Sequence, residues 1–150
     1  MLEGLVQRQF EALNRRDLDT IVGLYRDDAV FEFPGRTRMS GRFEGKEAIR
    51  AWWTRWVQRY ASVHFTVKHV GIVSARPGAN VVLIAWDVNV TTTDGLQGEA
   101  SGISLVRQRG GKVAFARDYF YDPELIERIW GRAEEQAEAL VEREPALVAG

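Results

Sequence analysis

The chain has 150 residues, a net charge of −1, 45% hydrophobic and 27% charged side chains, and no cysteine. So balanced a charge supplies no field for nucleic acid or an anionic membrane, and without cysteine there is neither a disulfide framework nor thiolate chemistry. A zinc site would have only two His and carboxylates to draw on, no apolar run reaches the length of a membrane span, and the N-terminus lacks a secretory pattern. A single domain in the cytoplasm, with no cofactor and no metal, is the expectation.

Residues 2–14 put Leu2, Leu5, Val6, Phe10 and Leu13 at helical spacing. Asn14-Arg15-Arg16 breaks the pattern, and Asp17 can cap a short second helix carrying Leu18, Ile21, Val22 and Tyr25. A strand is expected over residues 29–33, stopped by Pro34-Gly35, followed by a loop over 36–45 with Arg36, Arg38 and Arg42. A third helix starts after Gly45 and bears the aromatic stripe Ile49, Trp52, Trp53, Trp56 and Tyr60. Strands are then expected over 63–74, 80–92, 97–109 and 112–121, with hairpin signals at Pro77-Gly78, Asp94-Gly95 and Gly110-Gly111. Asp122-Pro123 reads as an N-cap and first helical residue of a long terminal helix over 123–144. Its stripe is Leu125, Ile126, Ile129, Ala133, Ala137, Leu140 and Val141, weakened midway by Gly131. Helices ahead of an antiparallel meander argue for an α+β domain with the helices on one face of a curved sheet.

Alternation in 80–92 separates Val82, Ile84, Trp86, Val88 and Val90 from Val81, Leu83, Ala85, Asp87 and Asn89. Neither set is polar throughout, so both faces need cover. The expectation is a homodimer through the face carrying Val82, Ile84, Trp86 and Val88, with the mixed set in a pocket beneath the helices; a terminal helix lying on the sheet is the alternative. Asp118 shares a strand face with Ala114, Ala116 and Phe120, where a carboxylate is costly unless it is paired or used. Arg107, Arg109 and Arg117 fall on the same side of neighbouring strands and are expected to form a salt-bridged surface.

The stretches Phe10-Glu11-Ala12-Leu13-Asn14-Arg15-Arg16-Asp17-Leu18-Asp19 and Leu24-Tyr25-Arg26-Asp27-Asp28-Ala29-Val30-Phe31 resemble the start of the nuclear transport factor 2-like superfamily. Gly45-Lys46-Glu47-Ala48-Ile49 resembles the start of its third helix. Arg117-Asp118-Tyr119-Phe120 resembles its last strand in SnoaL-like polyketide cyclases and limonene-epoxide-hydrolase-like enzymes. The resemblance spans residues 5–123. It implies a cone-shaped, curved antiparallel sheet with helices on the concave face, a deep hydrophobic pocket and a homodimer. Fold alone does not give function, since the superfamily hosts enzymes and non-enzymes.

The Tyr and Asp of ketosteroid isomerases match Phe10 and Phe33 here, which cannot transfer protons. Of the epoxide-hydrolase relay, Asp118 and Asp87 match, the Arg position is Ala85, and the water-holding Tyr and Asn correspond to Phe31 and Phe33. The Asp of SnoaL-like cyclases matches Asp118, while their usual His has no secure counterpart in His64 or His69. The resemblance therefore implies a cofactor-independent cyclase, isomerase or hydrolase for a small hydrophobic ring compound. Asp118 would be its acid/base and Asp87 a second carboxylate sharing a proton with it. Phe10, Phe33, Trp53, Trp56, Ala85, Asn89, Ala116 and Phe120 would bind the substrate. The alternative is a non-catalytic domain that binds a hydrophobic ligand or dimerises.

Overall fold

Helical periodicity becomes packing first in α1, Leu2–Arg15, whose Leu5, Val6, Phe10 and Leu13 are all buried. A computed structural model of the protein describes residues 2–133. The end of α1 is fastened to the sheet by Asn14, whose amide donates to the Phe65 carbonyl at 3.1 Å and accepts from the Phe65 N–H at 2.6 Å. Arg16, at φ 52, turns the chain and donates to the Tyr60 carbonyl. Asp17 caps α2, Leu18–Gly23, by accepting from the Thr20 N–H. The third helix, α3, runs Lys46–Arg59 and buries Ile49, Trp52, Trp53 and Trp56.

The sheet has six strands: β1 Tyr25–Phe33, β2 Gly41–Glu44, β3 Tyr60–Arg76, β4 Ala79–Thr92, β5 Gln97–Arg109 and β6 Lys112–Phe120. Their order is β2-β1-β6-β5-β4-β3. The expected antiparallel sheet is in fact mixed, because β1 lies parallel to β6 with Phe31 opposite Ala116 and Glu32 opposite Arg117. Register shifts recur along the β3–β4 ladder, between Tyr60 and Ser62, Val67 and His69, and Ile72 and Ser74. Such bulges bend a ladder and increase its twist, which is how this long hairpin curves around the helices.

Several boundaries differ from the sequence reading; Tyr60, expected on the third helix, opens β3. Tyr25 opens β1 instead of closing the second helix. Residues 41–44 form an edge strand where a loop was expected, because Arg42 meets Glu32 across the β1–β2 ladder and Phe43 stacks on Phe31 at 6.3 Å. The terminal helix α4, Pro123–Trp130, starts as expected on Asp122 and Pro123 but ends at Gly131, whose φ of 77 leaves the helical path. The rest of the expected stripe, Ala137, Leu140 and Val141, lies outside the described residues.

The face assignment of β4 is reversed. Val82, Ile84, Trp86, Val88 and Val90 are buried against the helices and form the core, so they cannot supply a dimer face. Leu83, Asp87 and Asn89 are exposed on the outer side. The wholly apolar set sits inside because the helices bring only apolar stripes to meet it. On the outer face, Glu32 pairs with Arg42 and Arg117, and the guanidinium of Arg107 lies 5.1 Å from the Phe115 ring centroid.

Gly102 of β5 sits opposite Trp86, and a Cβ there would lie 2.5 Å from Trp86 Cη2 and 2.5 Å from the Tyr119 carbonyl oxygen. The carbonyl is backbone and cannot step aside. Gly102→Ala is expected to destabilise the fold by about 2 kcal/mol or more, read as a lower urea midpoint at unchanged slope.

Candidate functional site

Aromatic contacts between α3 and the inner sheet face, five edge-to-face, one tilted and one stacked, produce a closed ring of seven side chains. It runs from Phe65 to Trp86, Phe120, Phe33, Trp52, Trp53 and Trp56 and back to Phe65, with centroid separations of 4.7–6.4 Å. Inside it lies a cavity of about 60 Å³, walled also by Gln9, Phe10, Tyr25, Ala116, Asp118 and, from α4, Ile126, Ile129 and Trp130. Among the described residues the wall contains no Lys, Arg or His, and Asp118 is its one carboxylate.

Asp118 is placed by register. It sits opposite Ser104 of β5, which sits opposite Ile84 of β4, so all three project to the inner face. The Trp86 indole N–H donates to Ser104 Oγ at 2.9 Å, and Ser104 Oγ donates to Asp118 Oδ1 at 2.7 Å. Because an indole nitrogen can only donate, the Ser104 hydroxyl must spend its proton on Asp118. Burial pushes the Asp118 carboxyl up from an ordinary 3.8 to about 6, against the opposing pull of the Ser104 hydrogen bond. A carboxyl in that range changes protonation close to neutral pH. Its hydrogen-bond partner among the described residues is a side chain and not a backbone amide, so it is not sealed into the sheet ladder.

Tyr25 faces the same cavity. Its hydroxyl is held well above the ordinary phenol range, first by burial and next by the negative charge of Asp118, while a hydrogen bond from the Trp53 indole works against the rise. Tyr25 therefore stays neutral. Trp53 Nε1 meets the Tyr25 hydroxyl at the margin of hydrogen-bond geometry, and the buried Gln9 Oε1 has no hydrogen-bond partner among the described residues.

Of the residues expected from sequence, Asp118, Phe10, Phe33, Trp53, Trp56, Ala116 and Phe120 meet at this cavity. Asp87, Ala85 and Asn89 do not. Asp87 lies opposite Ser101, three residues from Ser104 and hence on the other face of β5; there it accepts from Ser101 Oγ at 2.7 Å. The expected carboxylate pair does not form, because the sheet stands between its members. His64 and His69 are exposed, and Arg42 is engaged by Glu32 and Glu44 at 2.8 Å each. Among the described residues no group of three or more His, Cys, Asp or Glu is placed to hold a metal.

Trp86, Tyr25 and Gln9 carry no functional reading from sequence. Ser104, like Asn89 and Ser101, reads there as a strand residue able to orient a ligand, with ordinary strand polarity the stronger account; only the partner across the ladder decides for it.

The raised carboxyl fixes a pH dependence of stability. The folded state holds the Asp118 proton more tightly than the unfolded chain does. That contribution is fully present below about 3.8 and lost as pH rises through about 6, an effect of about 3 kcal/mol. Asp118→Asn is expected to leave stability nearly unchanged at pH 4 and to raise it by about 1–3 kcal/mol at pH 8, measured by urea denaturation.

No curated protein matches the chain in sequence. Its fold is similar to that of Bal32a from a soil-derived mobile gene cassette, at 23% identity and TM-score 0.72 over 85% of this chain and 95% of that one. It is also similar to TerC co-crystallised with polyporic acid, at 16% identity and TM-score 0.65 over 84% and 95% of the respective chains. A type 2 hexachlorocyclohexane dehydrochlorinase, LinA, aligns at 11% identity and TM-score 0.69 over 81% and 83%. At these identities the likeness is one of fold. The family model of the SnoaL-like domain matches residues 6–116, and the chain belongs to that family, within the nuclear transport factor 2-like superfamily.

Proposed function

We propose that the protein is a cofactor-independent acid/base enzyme, a cyclase, isomerase or hydrolase, acting on a small hydrophobic ring compound with Asp118 as the acid/base. The observation that carries this reading is a single carboxylate, oriented by Ser104 and raised to about 6, facing an aromatic-walled cavity. A general base works best with a pKa near the operating pH, where it is largely ionised yet basic enough to take a proton. The wall of aromatic and aliphatic side chains selects an apolar ligand, and the absence of a cation from it disfavours an anionic one. LinA, similar in fold, is a hexachlorocyclohexane dehydrochlorinase, and TerC was crystallised with polyporic acid.

The cavity of about 60 Å³ has room for a few waters. A six-membered ring requires more, roughly the 150 Å³ of a known benzene-binding cavity. Substrate entry on this reading displaces part of the wall. α4 contributes Ile126, Ile129 and Trp130 to that wall and is fastened by Arg59 Nε on the Ile129 carbonyl and by the Arg38 N–H on the Gly131 carbonyl.

The same pocket would serve a protein that binds a ring compound without transforming it, and one experiment divides the two. Wild type and Asp118→Asn are assayed against a panel of epoxides and polyketide-like ketones between pH 4 and 9. The enzyme reading expects kcat/KM to rise with an apparent pKa near 6 for a substrate that loses a proton first, and to fall at least 100-fold in Asp118→Asn. Binding without turnover in both proteins would leave the non-catalytic alternative.

A homodimer is proposed as well, through the outer sheet face in place of the face expected from sequence. Leu83, Ile103 and Tyr119 project there from β4, β5 and β6 and are 38%, 43% and 47% exposed. Large apolar side chains clustered on one exposed face mark an association surface. Sedimentation velocity is expected to show wild type as a dimer and Ile103→Lys as a monomer; equal sedimentation of the two would remove the assignment.

A further inference from the structure

We infer that Gln9 selects the ligand of this cavity: its side-chain oxygen accepts a hydrogen bond from the ligand, so the ring compound bound there carries a neutral hydroxyl group. The inference rests on the reading of the aromatic cavity as the substrate site, and holds whether Asp118 transforms the ligand or only faces it. Three observations carry it. Gln9 lines the cavity. Its Oε1 is buried and accepts no hydrogen bond from the described residues. Its place on α1 is one that helical periodicity assigns to an apolar side chain.

The buried side chains Leu5, Val6, Phe10 and Leu13 form one stripe along α1, and Gln9 falls inside it, one turn after Leu5 and one before Leu13. A Leu or Met at this position would continue the stripe. On the solvent side of the same helix, Gln7 is exposed and donates to Glu11 at 3.0 Å. The amide within the stripe has no such arrangement for its oxygen. Buried polar atoms are almost always paired, so an oxygen held open at a core position beside a cavity is an acceptor kept for something that enters.

The rest of the wall limits what that is. An amide oxygen takes a proton from O–H or N–H, and a ligand with no such group leaves it open. An ammonium would give up its hydration to a wall made chiefly of aromatic and aliphatic side chains, at a cost that one amide oxygen does not return. A ligand carboxylate would stand beside Asp118 with no cation among the described residues of the wall. A neutral hydroxyl on the ring meets each condition. The same oxygen also discriminates: a site built to hydrogen-bond a hydroxyl rejects the analogue that lacks it, because its own polar atom is then stripped of water and left unpaired.

The test compares phenol with toluene, which has nearly the same shape, and with benzonitrile, which accepts a hydrogen bond but cannot donate one. The cost of opening the cavity for a ring is common to the three and cancels in their ratios. In calorimetric titrations wild type is expected to bind phenol about tenfold more tightly than either of the others, at pH 4 and pH 8 alike. Gln9→Met keeps the length of the side chain and suits a helix; it should abolish the preference and bind toluene at least as well as wild type does. The wild-type ratios decide without recourse to the variant: no preference for phenol overturns the inference, and so does tighter binding of benzonitrile, which would turn the amide nitrogen inward. A phenol preference that survives Gln9→Met overturns it too, and one confined to pH 8 would assign the hydroxyl to ionised Asp118 instead. Failure of wild type to bind any of the three removes the cavity as a ligand site and the inference with it. Asp118→Asn should leave the phenol preference intact, so loss of the acid/base role and loss of the hydroxyl site are read separately.

Discussion

Burying one carboxylate in an aromatic cavity is the constraint on which the site depends. An isolated ionised Asp in such surroundings would be prohibitively costly, and a fully paired one would be inert. The Trp86–Ser104–Asp118 chain holds it between these limits. Ser104 stabilises the charge with one directed hydrogen bond, and Trp86 removes the choice of where that proton points. No cation completes the pairing, so burial stays the larger influence and the carboxyl stays near 6. The side chain that determines the hydroxyl's direction is itself part of the aromatic ring, in contact with Phe65 and Phe120. Packing and proton affinity at this position are therefore not separable.

Sheet geometry decides which residues can join that chain. The β5–β6 hairpin starts with Arg109 opposite Lys112 and Gln108 opposite Val113, a register that would bring Ile103 opposite Asp118. A shift beyond Gln108 changes it, so that Ser104 takes the place. One bulged residue thus exchanges an aliphatic neighbour for a hydroxyl. Gly102, two residues further along, leaves the room in which the Trp86 ring can lie across β5 and reach Ser104.

This also explains what could and could not be read from the sequence. Periodicity and caps were legible because they are local: Asp17 and Asp122 cap α2 and α4, and the stripe Ile49, Trp52, Trp53 and Trp56 faces inward as its spacing requires. Asp118 was legible because a carboxylate among small and apolar alternating residues is costly wherever its strand lies. Asp87 is misplaced because neither face of this strand is polar throughout: giving the wholly apolar set to a partner leaves the mixed set, Asp87 with it, for the pocket, and the hydrolase resemblance points the same way. The apolar set belongs inside on burial grounds alone. Tyr25 was misread because its spacing from Leu18, Ile21 and Val22 fits a helix, and only its pairing with Val113 of β6 makes it the first residue of a strand. Ser104 depended on the bulge. In each miss the deciding interaction joins residues far apart in sequence, where no local pattern carries information.

The polar groups of the cavity are costly in a way that packing groups are not. An ionised Asp118 and an open Gln9 oxygen each forgo stability of about 1–3 kcal/mol, against a total of roughly 5–15 kcal/mol for an ordinary domain. Elsewhere the fold satisfies comparable groups readily: Trp52 donates to the Met39 carbonyl at 2.8 Å, and Asn14 is bonded through both atoms of its amide. The contrast between Trp52 and Trp53 is instructive, since they are adjacent on α3 and their rings touch at 4.7 Å. One donates its N–H to backbone; the other turns it toward the Tyr25 hydroxyl at the cavity wall. The unpaired groups gather on one cavity, and the aromatic ring around them offsets their cost. Arranged in this way, a carboxylate, a phenol and an amide oxygen share one aromatic-walled space.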